Sequence, residues 1–288
     1  MKPAPFTYHR AHSVAEAVAL LAELGDEAKI LAGGLSLVPM MNFRLARPAA
    51  LVDVIRIEHL SYLRTDPGDG LRIGALTTHR TVETSHDPTV LAGFGVLPRS
   101  ARWIGHYPIR SRGTFGGSIA HADPSSEWCL LAMLLGARVI LTGPAGTRTV
   151  PAAEFFEGYY STAARPDEMI TEVWFPEPAP RAVLTEFAQR QGDFAIVAAA
   201  VSSDISDGVY RAGRVVLGGV GPLPVEVDAA ALAGQPATEQ TWQAMGEHAA
   251  SQIDPPEDTH GDAAYRRRLT ATLVSRALAE AADWPGSS

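Results

Sequence analysis

Hydrophobic residues at helical spacing lie near both ends of the chain. They predict one amphipathic helix over residues 13–24 and a longer one over residues 263–282. Ser13 and Glu16 form a capping-box pattern at the start of the first helix, and Gly25 follows its end as a stop signal. The apolar stripe of the second helix consists of Tyr265, Leu269, Leu273, Ala277 and Leu278.

Between these helices, short apolar runs bounded by turn residues predict strands. The predicted strands cover residues 28–32, 51–55, 71–76, 138–141, 184–188, 196–205 and 209–217. Further helices are predicted over residues 37–44, 90–104 and 128–135, and a turn over residues 66–70. The elements begin with a strand–turn–helix–strand unit and continue with short strands and turns.

The length of 288 residues fits two domains or one large domain, at roughly 150 residues per domain. Pro176, Pro178 and Pro180 make the segment 175–180 a stiff, extended connector. We therefore predict a domain boundary there, with domains over residues 1–176 and 177–288.

The charge and composition of the chain limit the classes of molecule that it is expected to bind. The chain has 24 Lys and Arg against 32 Asp and Glu, which gives a formal charge of −8. An acidic chain repels a polyanion, so nucleic acid is not expected as the main ligand. Charged residues make up 19% of the chain, below the usual ~25%. We interpret this shortfall as surface that is buried against partner chains.

Cys129 is the single cysteine, which excludes a disulfide framework. It also excludes a zinc or iron–sulfur site built from several thiolates of this chain, so another chain would have to supply such a centre. The N-terminus shows no targeting segment, and no apolar run has the length of a transmembrane helix. We expect a cytoplasmic protein.

Two double-glycine segments are the main candidates for ligand binding. Gly33 and Gly34 follow a predicted strand, where glycine permits a tight turn that gathers several N–H groups around a phosphate. Gly116 and Gly117 lie in the segment 110–118, among hydroxyl and Arg residues. Either segment alone is also compatible with an ordinary turn, but two such nests in one domain would hold the two phosphates of a dinucleotide. The chain contains neither G-x-G-x-x-G nor the P-loop pattern.

His121, Asp123 and Glu127 form a third candidate group. A proline between them breaks regular helical spacing and no second His is near, so we do not expect a metal site. A carboxylate here could accept hydrogen bonds from ribose hydroxyls. The alternative is a helix N-cap provided by Asp123 or Ser125.

Five stretches run in order over nearly the whole chain and together resemble one family. They are A-G-G-L-S-L-V-P-M-M-N-F-R-L-A-R-P (32–48), G-A-L-T-T-H (74–79), R-G-T-F-G-G-S-I-A-H-A-D-P-S-S-E (112–127), Q-R-Q-G-D-F-A-I-V (189–197) and Y-R-R-R-L-T-A-T-L-V-S-R-A-L (265–278). The family is that of the FAD-binding medium subunits of molybdenum hydroxylases, in the carbon monoxide dehydrogenase and xanthine dehydrogenase superfamily. The resemblance implies an α+β fold. An FAD-binding domain of the PCMH type, with a small parallel β/α lobe and a mixed antiparallel lobe, would precede a C-terminal α+β flavoprotein domain.

The resemblance also implies which residues contact FAD. They are Lys29, Ile30, Leu31, Ala32, Gly33, Gly34, Leu35, Ser36 and Leu37 around the first loop, Thr114, Phe115, Gly116, Gly117 and Ser118 in the second, and Thr77, Ile104, Asp123, Glu127, Met169, Ile170 and Phe194 elsewhere. Both loops would hold the diphosphate, and Glu127 would contact the ribose.

For the rings of FAD, the resemblance implies Ile104 near the adenine and a backbone contact to the flavin from Met169 or Ile170. Phe194 stands where relatives often have a Tyr that shields the flavin ring. Gln189 and Arg190 stand where relatives often carry Lys, so neither is assigned a role at flavin N1.

The resemblance further implies an electron-transfer subunit with no catalytic acid or base and no metal ligand of its own. An iron–sulfur small subunit and a molybdopterin large subunit would complete a heterotrimer or its dimer. Electrons would pass from the iron–sulfur clusters to FAD and on to an external acceptor. Two alternatives remain at this stage: a stand-alone FAD-dependent reductase or oxidase, and a non-catalytic assembly subunit without flavin.

Overall fold

A computed structural model describes residues 2–66 and 68–283, without the side chain of Asp66. Pro67, within the predicted turn 66–70, lies outside the described residues. The described chain forms three lobes, each built on its own β-sheet. The predicted α+β architecture is confirmed, with a parallel β/α lobe, an antiparallel lobe and a C-terminal sheet covered by helices.

The first lobe is a three-stranded parallel sheet with the strand order β1–β3–β2. Ser13 caps its first helix by accepting a hydrogen bond from the N–H of Glu16, as the capping-box pattern predicts. This helix buries Ala17, Val18 and Leu21 against the sheet. The elements are β1 (Thr7–Arg10), α1 (Val14–Leu24), β2 (Ala28–Leu31), α2 (Leu37–Asn42) and β3 (Ala50–Asp53).

The second lobe is a five-stranded antiparallel sheet with helices packed against it, in the strand order β4–β5–β10–β6–β7. A separate two-stranded ribbon pairs β8 with β9. The elements are β4 (Leu63–Asp66), β5 (Gly70–Gly74), α3 (His79–Glu83), α4 (Pro88–Phe94), α5 (Val96–Ala101), α6 (Tyr107–Arg112), α7 (Phe115–His121), α8 (Glu127–Leu134), β6 (Arg138–Gly143), β7 (Gly146–Pro151), α9 (Ala152–Phe155), β8 (Phe156–Gly158), β9 (Ser161–Thr162) and β10 (Met169–Phe175).

The third lobe is a four-stranded antiparallel sheet, and both of its faces are covered. One face packs against the helices of the second lobe, and the other packs against the two C-terminal helices. This double burial explains why residues 195–201 read as an unbroken apolar run. The elements are β11 (Val183–Phe187), β12 (Val197–Ser206), β13 (Val209–Gly218), β14 (Val225–Val227), α10 (Glu239–Ser251) and α11 (Ala263–Ala282).

Helix α8 lies at the centre of the molecule, and all its residues are buried. Its apolar side chains surround the helix instead of forming one stripe, which is typical of a helix covered on every side. Trp128 packs against Phe115, with 4.7 Å between the ring centroids. On another side, Leu130 lies against Gly218 at the end of β13. Helix α8 therefore joins the second lobe to the third.

The structure corrects two of the predicted segments. The helix predicted over 90–104 is two short helices, α4 and α5, which meet at Gly95. The glycine-rich segment 110–118 is not a free loop, because α6 ends at Arg112 and α7 begins at Phe115. Gly116 and Gly117 thus lie in the first turn of a helix that Thr114 caps.

The C-terminal helices show what the hydrophobic pattern could and could not predict. Helix α11 has the predicted bounds, but Arg266 and Thr270 are buried on it, whereas Tyr265 and Leu269 of the predicted stripe are only half-buried. The hydrophobic pattern does not predict helix α10, because most of its residues are polar or have small side chains. None of the helices in 2–66 and 68–283 is long and apolar enough to cross a membrane.

Gly246 provides a test of the packing between α10 and α11. A Cβ at Gly246 would lie 2.3 Å from the carbonyl oxygen of Ala271, a backbone atom that cannot rotate away. We expect Gly246→Ala to lower the free energy of unfolding by about 1–3 kcal/mol, the usual cost of overpacking. Urea unfolding of both proteins measures this difference.

The matched control is Gly158→Ala, since a Cβ at Gly158 would meet no atom within 4 Å. We expect this variant to stay within about 0.5 kcal/mol of the parent protein. Equal losses in the two variants would contradict the close helix packing.

Candidate functional site

The loop between β2 and α2 carries four backbone N–H groups that find no partner in the described part of the chain. The N–H groups of Gly33, Gly34, Leu35 and Ser36 donate to no acceptor among the described residues. Gly34 has a φ of 74°, the left-handed conformation that favours glycine. Consecutive N–H groups in such a turn form a concave nest that binds anionic oxygens.

The two double-glycine segments meet in the structure. A Cβ at Gly33 would lie 2.2 Å from the carbonyl oxygen of Arg112 and 3.0 Å from the Cα of Gly113. The first loop therefore lies directly against the chain that leads into α7. The Arg112 guanidinium is exposed and, within the described part of the chain, forms no hydrogen bond or ion pair.

The second segment differs from the predicted nest because its N–H groups have partners inside the protein. Phe115 donates to the Thr77 carbonyl at 2.8 Å, and Gly116 donates to the Ala75 carbonyl at 2.9 Å. Gly117 donates to the Thr114 side chain at 3.2 Å. Ser118 donates to the carbonyl of the same Thr at 3.0 Å. Glycine at 116 is required because a Cβ would lie 2.6 Å from the Cβ of Ala75.

Thr77 and His79 support the second segment from behind. The Thr77 hydroxyl is buried and donates to the Tyr62 carbonyl at 2.7 Å, so it is not available to a ligand. The N–H of His79 donates to the Gly113 carbonyl at 3.0 Å. His79 Nδ1 accepts a hydrogen bond from Trp128 Nε1 at 2.9 Å. Burial, with a smaller contribution from the charge of Arg110, lowers the pKa of His79 to about 4.

The polar group at 121–127 is held by local contacts. Asp123 accepts a hydrogen bond from the N–H of Ser125 at 2.8 Å, while Ser126 is the N-cap residue of α8. The structure therefore replaces the predicted cap at Asp123 or Ser125. The Tyr160 hydroxyl donates to Asp123 at 3.4 Å, and its ring lies 5.0 Å from that of His121. Within the described ranges, no three His, Cys, Asp or Glu side chains could together hold a metal ion.

Glu127 opens α8 and is nine-tenths buried, with 9% of its surface exposed. Burial is the main cause that raises its pKa, and the carboxyl groups of Glu186 and Asp123 raise it further. The neighbouring Ser126 hydroxyl lies 2.8 Å from the Ser118 hydroxyl, which connects this acid to the second segment. Glu127 therefore lies next to the second double-glycine segment, in a poorly solvated position.

The loops around Ile104 and Phe194 also meet, although they belong to different lobes. A Cβ at Gly192, where φ is 88°, would lie 2.7 Å from the ring of His106. Arg110 donates to the carbonyl of Gly105 at 2.9 Å and so fixes the first of these loops. The Phe194 side chain is 65% exposed, although it is large and apolar. Phe194 thus lies two residues beyond the contact between the two loops.

The remaining predicted residues are placed less directly. Met169 and Ile170 open β10 with buried side chains in the cores of two different lobes, so only their backbone could contact a ligand. The Lys29 side chain is exposed in β2, before the loop begins. The Phe115 side chain is fully buried and likewise leaves only backbone for contact.

Two residues without an assigned role lie near the predicted ones. His79 supports Gly113, and the Glu186 carboxyl of the third lobe raises the pKa of Glu127. For Glu186 the sequence does contain a signal, because it is a lone carboxylate in the apolar strand Val183–Phe187. The proximity of Arg112 to Gly33 has no sequence signal, since backbone atoms make the contact.

Comparison with known proteins identifies two successive family models along the chain. Residues 4–178 match the model described as the FAD binding domain in molybdopterin dehydrogenase. Residues 182–281 match the C-terminal domain of the CO dehydrogenase flavoprotein.

Individual relatives match over nearly their whole length. The 6-hydroxypseudooxynicotine dehydrogenase complex subunit alpha of Paenarthrobacter nicotinovorans is 40% identical over 287 residues, which cover 98% of this chain and 96% of the relative. The carbon monoxide dehydrogenase medium chain of Hydrogenophaga pseudoflava is 37% identical, covering 96% and 97%. A solved carbon monoxide dehydrogenase from that organism, which lacks the Mo-pyranopterin moiety of its cofactor, superposes with a TM-score of 0.93 at 38% identity and complete coverage of both chains.

His79 provides a pH test of the support behind the site. Below its ordinary pKa of 6.5 the unfolded chain takes up a proton that the folded protein refuses until about pH 4. We therefore expect the free energy of unfolding to decrease as the pH is lowered from 6.5 to about 4, by up to about 1.4 kcal/mol per pH unit. Urea unfolding at a series of pH values measures the slope.

The comparison for this test is His79→Asn, which keeps an acceptor near Trp128 Nε1 but has no proton to gain. We expect a shallower slope in this variant between pH 6.5 and about pH 4. Equal slopes would show that His79 is not the group responsible.

Proposed function

This chain belongs to the FAD-binding medium subunits of the molybdenum hydroxylase family, which makes it an oxidoreductase subunit, and from that premise we propose that it passes electrons from an iron–sulfur partner subunit to an external acceptor. The observation that carries the proposal is the loop from Gly33 to Ser36, whose N–H groups donate to no acceptor among the described residues and which lies against the backbone of Arg112. This loop fits the diphosphate of FAD, because consecutive N–H groups converge where glycine lets the ligand approach the backbone.

The other residues of the site would contact different parts of FAD. At the second segment the half-buried Ser118 would offer its hydroxyl group, whereas the buried Thr114 hydroxyl accepts the Gly117 N–H and the other N–H groups also have protein partners. Glu127 would accept hydrogen bonds from the ribose, and Ile104 would lie near the adenine. Asp123 holds the chain before α8 in position through its bond to Ser125.

The flavin end would be held by the backbone at Met169 or Ile170, with Phe194 at the exposed side. Bound FAD supplies the redox chemistry, since its ring system accepts and releases electrons while the protein binds and orients it. The chain itself needs no proton-transferring side chain for this task, and we assign none.

The partner subunits follow from the chain's own composition and from its relatives. A single cysteine cannot hold an iron–sulfur cluster, so the clusters would belong to a small subunit. The names of the relatives describe subunits or medium chains of dehydrogenases. We propose a heterotrimer with a molybdopterin large subunit, or its dimer, in the cytoplasm, and retain 1–176 and 177–288 as the proposed domain ranges.

Removing the glycine contact tests the binding of FAD. In Gly33→Ala the new methyl would lie 2.2 Å from the Arg112 carbonyl oxygen, which forces the loop and the second segment apart. We expect FAD binding to weaken by about a hundredfold, equivalent to about 3 kcal/mol. Gly117→Val, whose Cβ would lie 2.6 Å from Thr114 Oγ1, should also lose FAD. Titration of the apoprotein with FAD, followed by flavin fluorescence, measures both.

The control in this titration is again Gly158→Ala, which should bind FAD like the parent. Stoichiometric FAD in purified Gly117→Val would contradict our assignment of the second segment. Retention of FAD in both site variants would contradict the diphosphate site as a whole.

Isolation from the native host tests the electron-transfer role. We expect a chain with an affinity tag to co-purify with two other subunits, together with molybdenum, iron and about one FAD per chain. The complex, reduced with dithionite under argon, should be reoxidised by an acceptor such as oxygen, ubiquinone-1 or NAD⁺, as followed by flavin absorbance.

A tagged chain that is isolated alone and turns over a substrate would point instead to a self-sufficient reductase or oxidase. A colourless complex that cannot be reconstituted with FAD would point to an assembly subunit. Either result contradicts the proposed role.

A further inference from the structure

Strand β10, whose first residues would contact the flavin, begins directly after a buried carboxylate that is hydrogen-bonded through both oxygens. Glu168 precedes this strand, and its side chain is only 5% exposed. Its Oε1 accepts a hydrogen bond from Arg148 Nε at 2.7 Å, and its Oε2 accepts one from Arg148 Nη2 at 2.8 Å. A bidentate pair of this kind fixes the orientation of the carboxylate as well as compensating its charge.

Arg148 reaches Glu168 across the sheet of the second lobe. It lies on the edge strand β7, and strand β6 separates it from β10. Leu141 of β6 is in register with Arg148 on one side and with Ile170 on the other. Arg148 Nη2 also donates to the Ala163 carbonyl at 2.6 Å. The guanidinium group therefore connects the edge of the sheet to two points of the segment that leads into β10.

The same carboxylate closes the turn before β10. The N–H of Glu168 donates to the Arg165 carbonyl at 3.0 Å, and the N–H of Arg165 donates to Glu168 Oε2 at 2.8 Å. A Cβ at Gly143 would lie 2.8 Å from Glu168 Cγ, so glycine at the end of β6 leaves room for this side chain. The hydrogen bond from Arg148 is the main cause that lowers the pKa of Glu168. The turn is thus held by an ionised group with protein partners on both oxygens.

The first two residues of β10, Met169 and Ile170, present a backbone edge close to the second glycine segment. Strand β5 pairs with the later part of β10, so among the described residues these two have β6 on one edge and no strand on the other. The next residue, Thr171, accepts the N–H of Ala75 at 3.0 Å, and the Ala75 carbonyl accepts the N–H of Gly116 at 2.9 Å. The open edge is therefore available to a ligand that lies along the second glycine segment.

We propose that Arg148 is a positioning residue for the flavin end of the site, and that it acts through Glu168 on the backbone at the start of β10. This inference rests on the proposed function, because it takes FAD as the ligand of that backbone. Without Arg148, the buried Glu168 carboxylate would lose its bidentate partner, which is costly for a buried charge. The turn before β10 would also lose its contacts with β7, so the backbone of Met169 and Ile170 would no longer be held in place.

The two ends of FAD should therefore respond differently to a change at Arg148. ADP contains the adenine, the ribose and both phosphates, but it has no flavin. The two glycine segments and Glu127 would hold this part, whereas Arg148 acts on the flavin end alone. A general loosening of the protein would weaken the binding of both ligands, and loss of a positioning residue would weaken the binding of FAD only.

The experiment compares Arg148→Gln with the parent apoprotein, using flavin fluorescence for FAD and calorimetry for ADP. We expect the dissociation constant of FAD to rise about tenfold, as for the loss of hydrogen bonds to a charged group, and that of ADP to change less than about twofold. The absorbance bands of the bound flavin should shift toward those of free FAD. Gly33→Ala, which disturbs the diphosphate end, should weaken the binding of both ligands.

Arg214→Gln is the matched control. Arg214 also forms a bidentate pair, with Glu226 at 2.6 and 2.7 Å, and its side chain is 34% exposed against 36% for Arg148. It lies on β13 in the third lobe, so this variant should bind FAD and ADP like the parent. Arg148→Lys keeps the charge without the bidentate geometry and should recover part of the affinity for FAD. If Arg148→Gln does not fold, Arg148→Lys serves for the same comparison.

A double-mutant cycle tests whether Arg148 acts through Glu168. Glu168→Gln alone should weaken FAD binding about as much as Arg148→Gln does, about tenfold. Because the two residues form one unit, combining the substitutions should raise the dissociation constant less than about twofold further. Effects that multiply in the double variant would overturn the route through Glu168.

Equal losses of FAD and ADP affinity in Arg148→Gln, or binding of FAD like that of the parent, would overturn the positioning role. A parent protein that binds no FAD would contradict the proposed function itself. If the parent binds FAD but its affinity for ADP is too low to measure, the flavin absorbance and the double-mutant cycle decide the role of Arg148.

Discussion

The complete burial of helix α8 is the constraint on which the rest of the structure depends. An eight-residue helix that is apolar on all sides must be covered on all sides, and neither the antiparallel lobe nor the C-terminal sheet can do this alone. The two lobes therefore close around it. The polar residues at its start, Ser126 and Glu127, are then held at their junction, next to the second glycine segment.

Close contacts between backbone atoms fix the relative positions of the segments that form the site. Gly33 touches the Arg112 carbonyl, and Gly116 touches Ala75, so the absence of two side chains fixes the distance between three separate stretches of chain. The two double-glycine segments do different work. The N–H groups of the first segment donate to no acceptor among the described residues. Those of the second segment donate to Thr77, Ala75 and Thr114 and so hold that segment in its conformation. A pattern of consecutive glycines cannot distinguish these cases, because in both of them another part of the chain lies too close to the glycine for a side chain.

Much of the fold follows from periodicity, and the failures have physical causes. Helices α1 and α11 and strands β11, β12 and β13 lie near their predicted bounds, because their apolar spacing is regular, whereas the short strand β14 has no such pattern and is not predicted. The helix predicted over 90–104 is interrupted at Gly95, where the apolar pattern continues but the backbone does not. On α11, Arg266 is buried where its two terminal nitrogens donate to carbonyl groups and to Asp258 from other segments, which its own sequence does not show.

The sequence by itself determined the local elements, the acidic composition, the lone thiol and, through its resemblance to a family, the kind of subunit. Each of these is either local in the chain or carried by motifs that keep their order. Only the tertiary structure decided which N–H groups have no acceptor among the described residues, that the Arg112 backbone lies beside Gly33, and that Glu186 raises the pKa of Glu127. These features join residues 59 or more positions apart in the chain, by backbone approach and by burial. Hydrogen-bond partners and solvation are set by such neighbours in space, so local residue patterns cannot specify them.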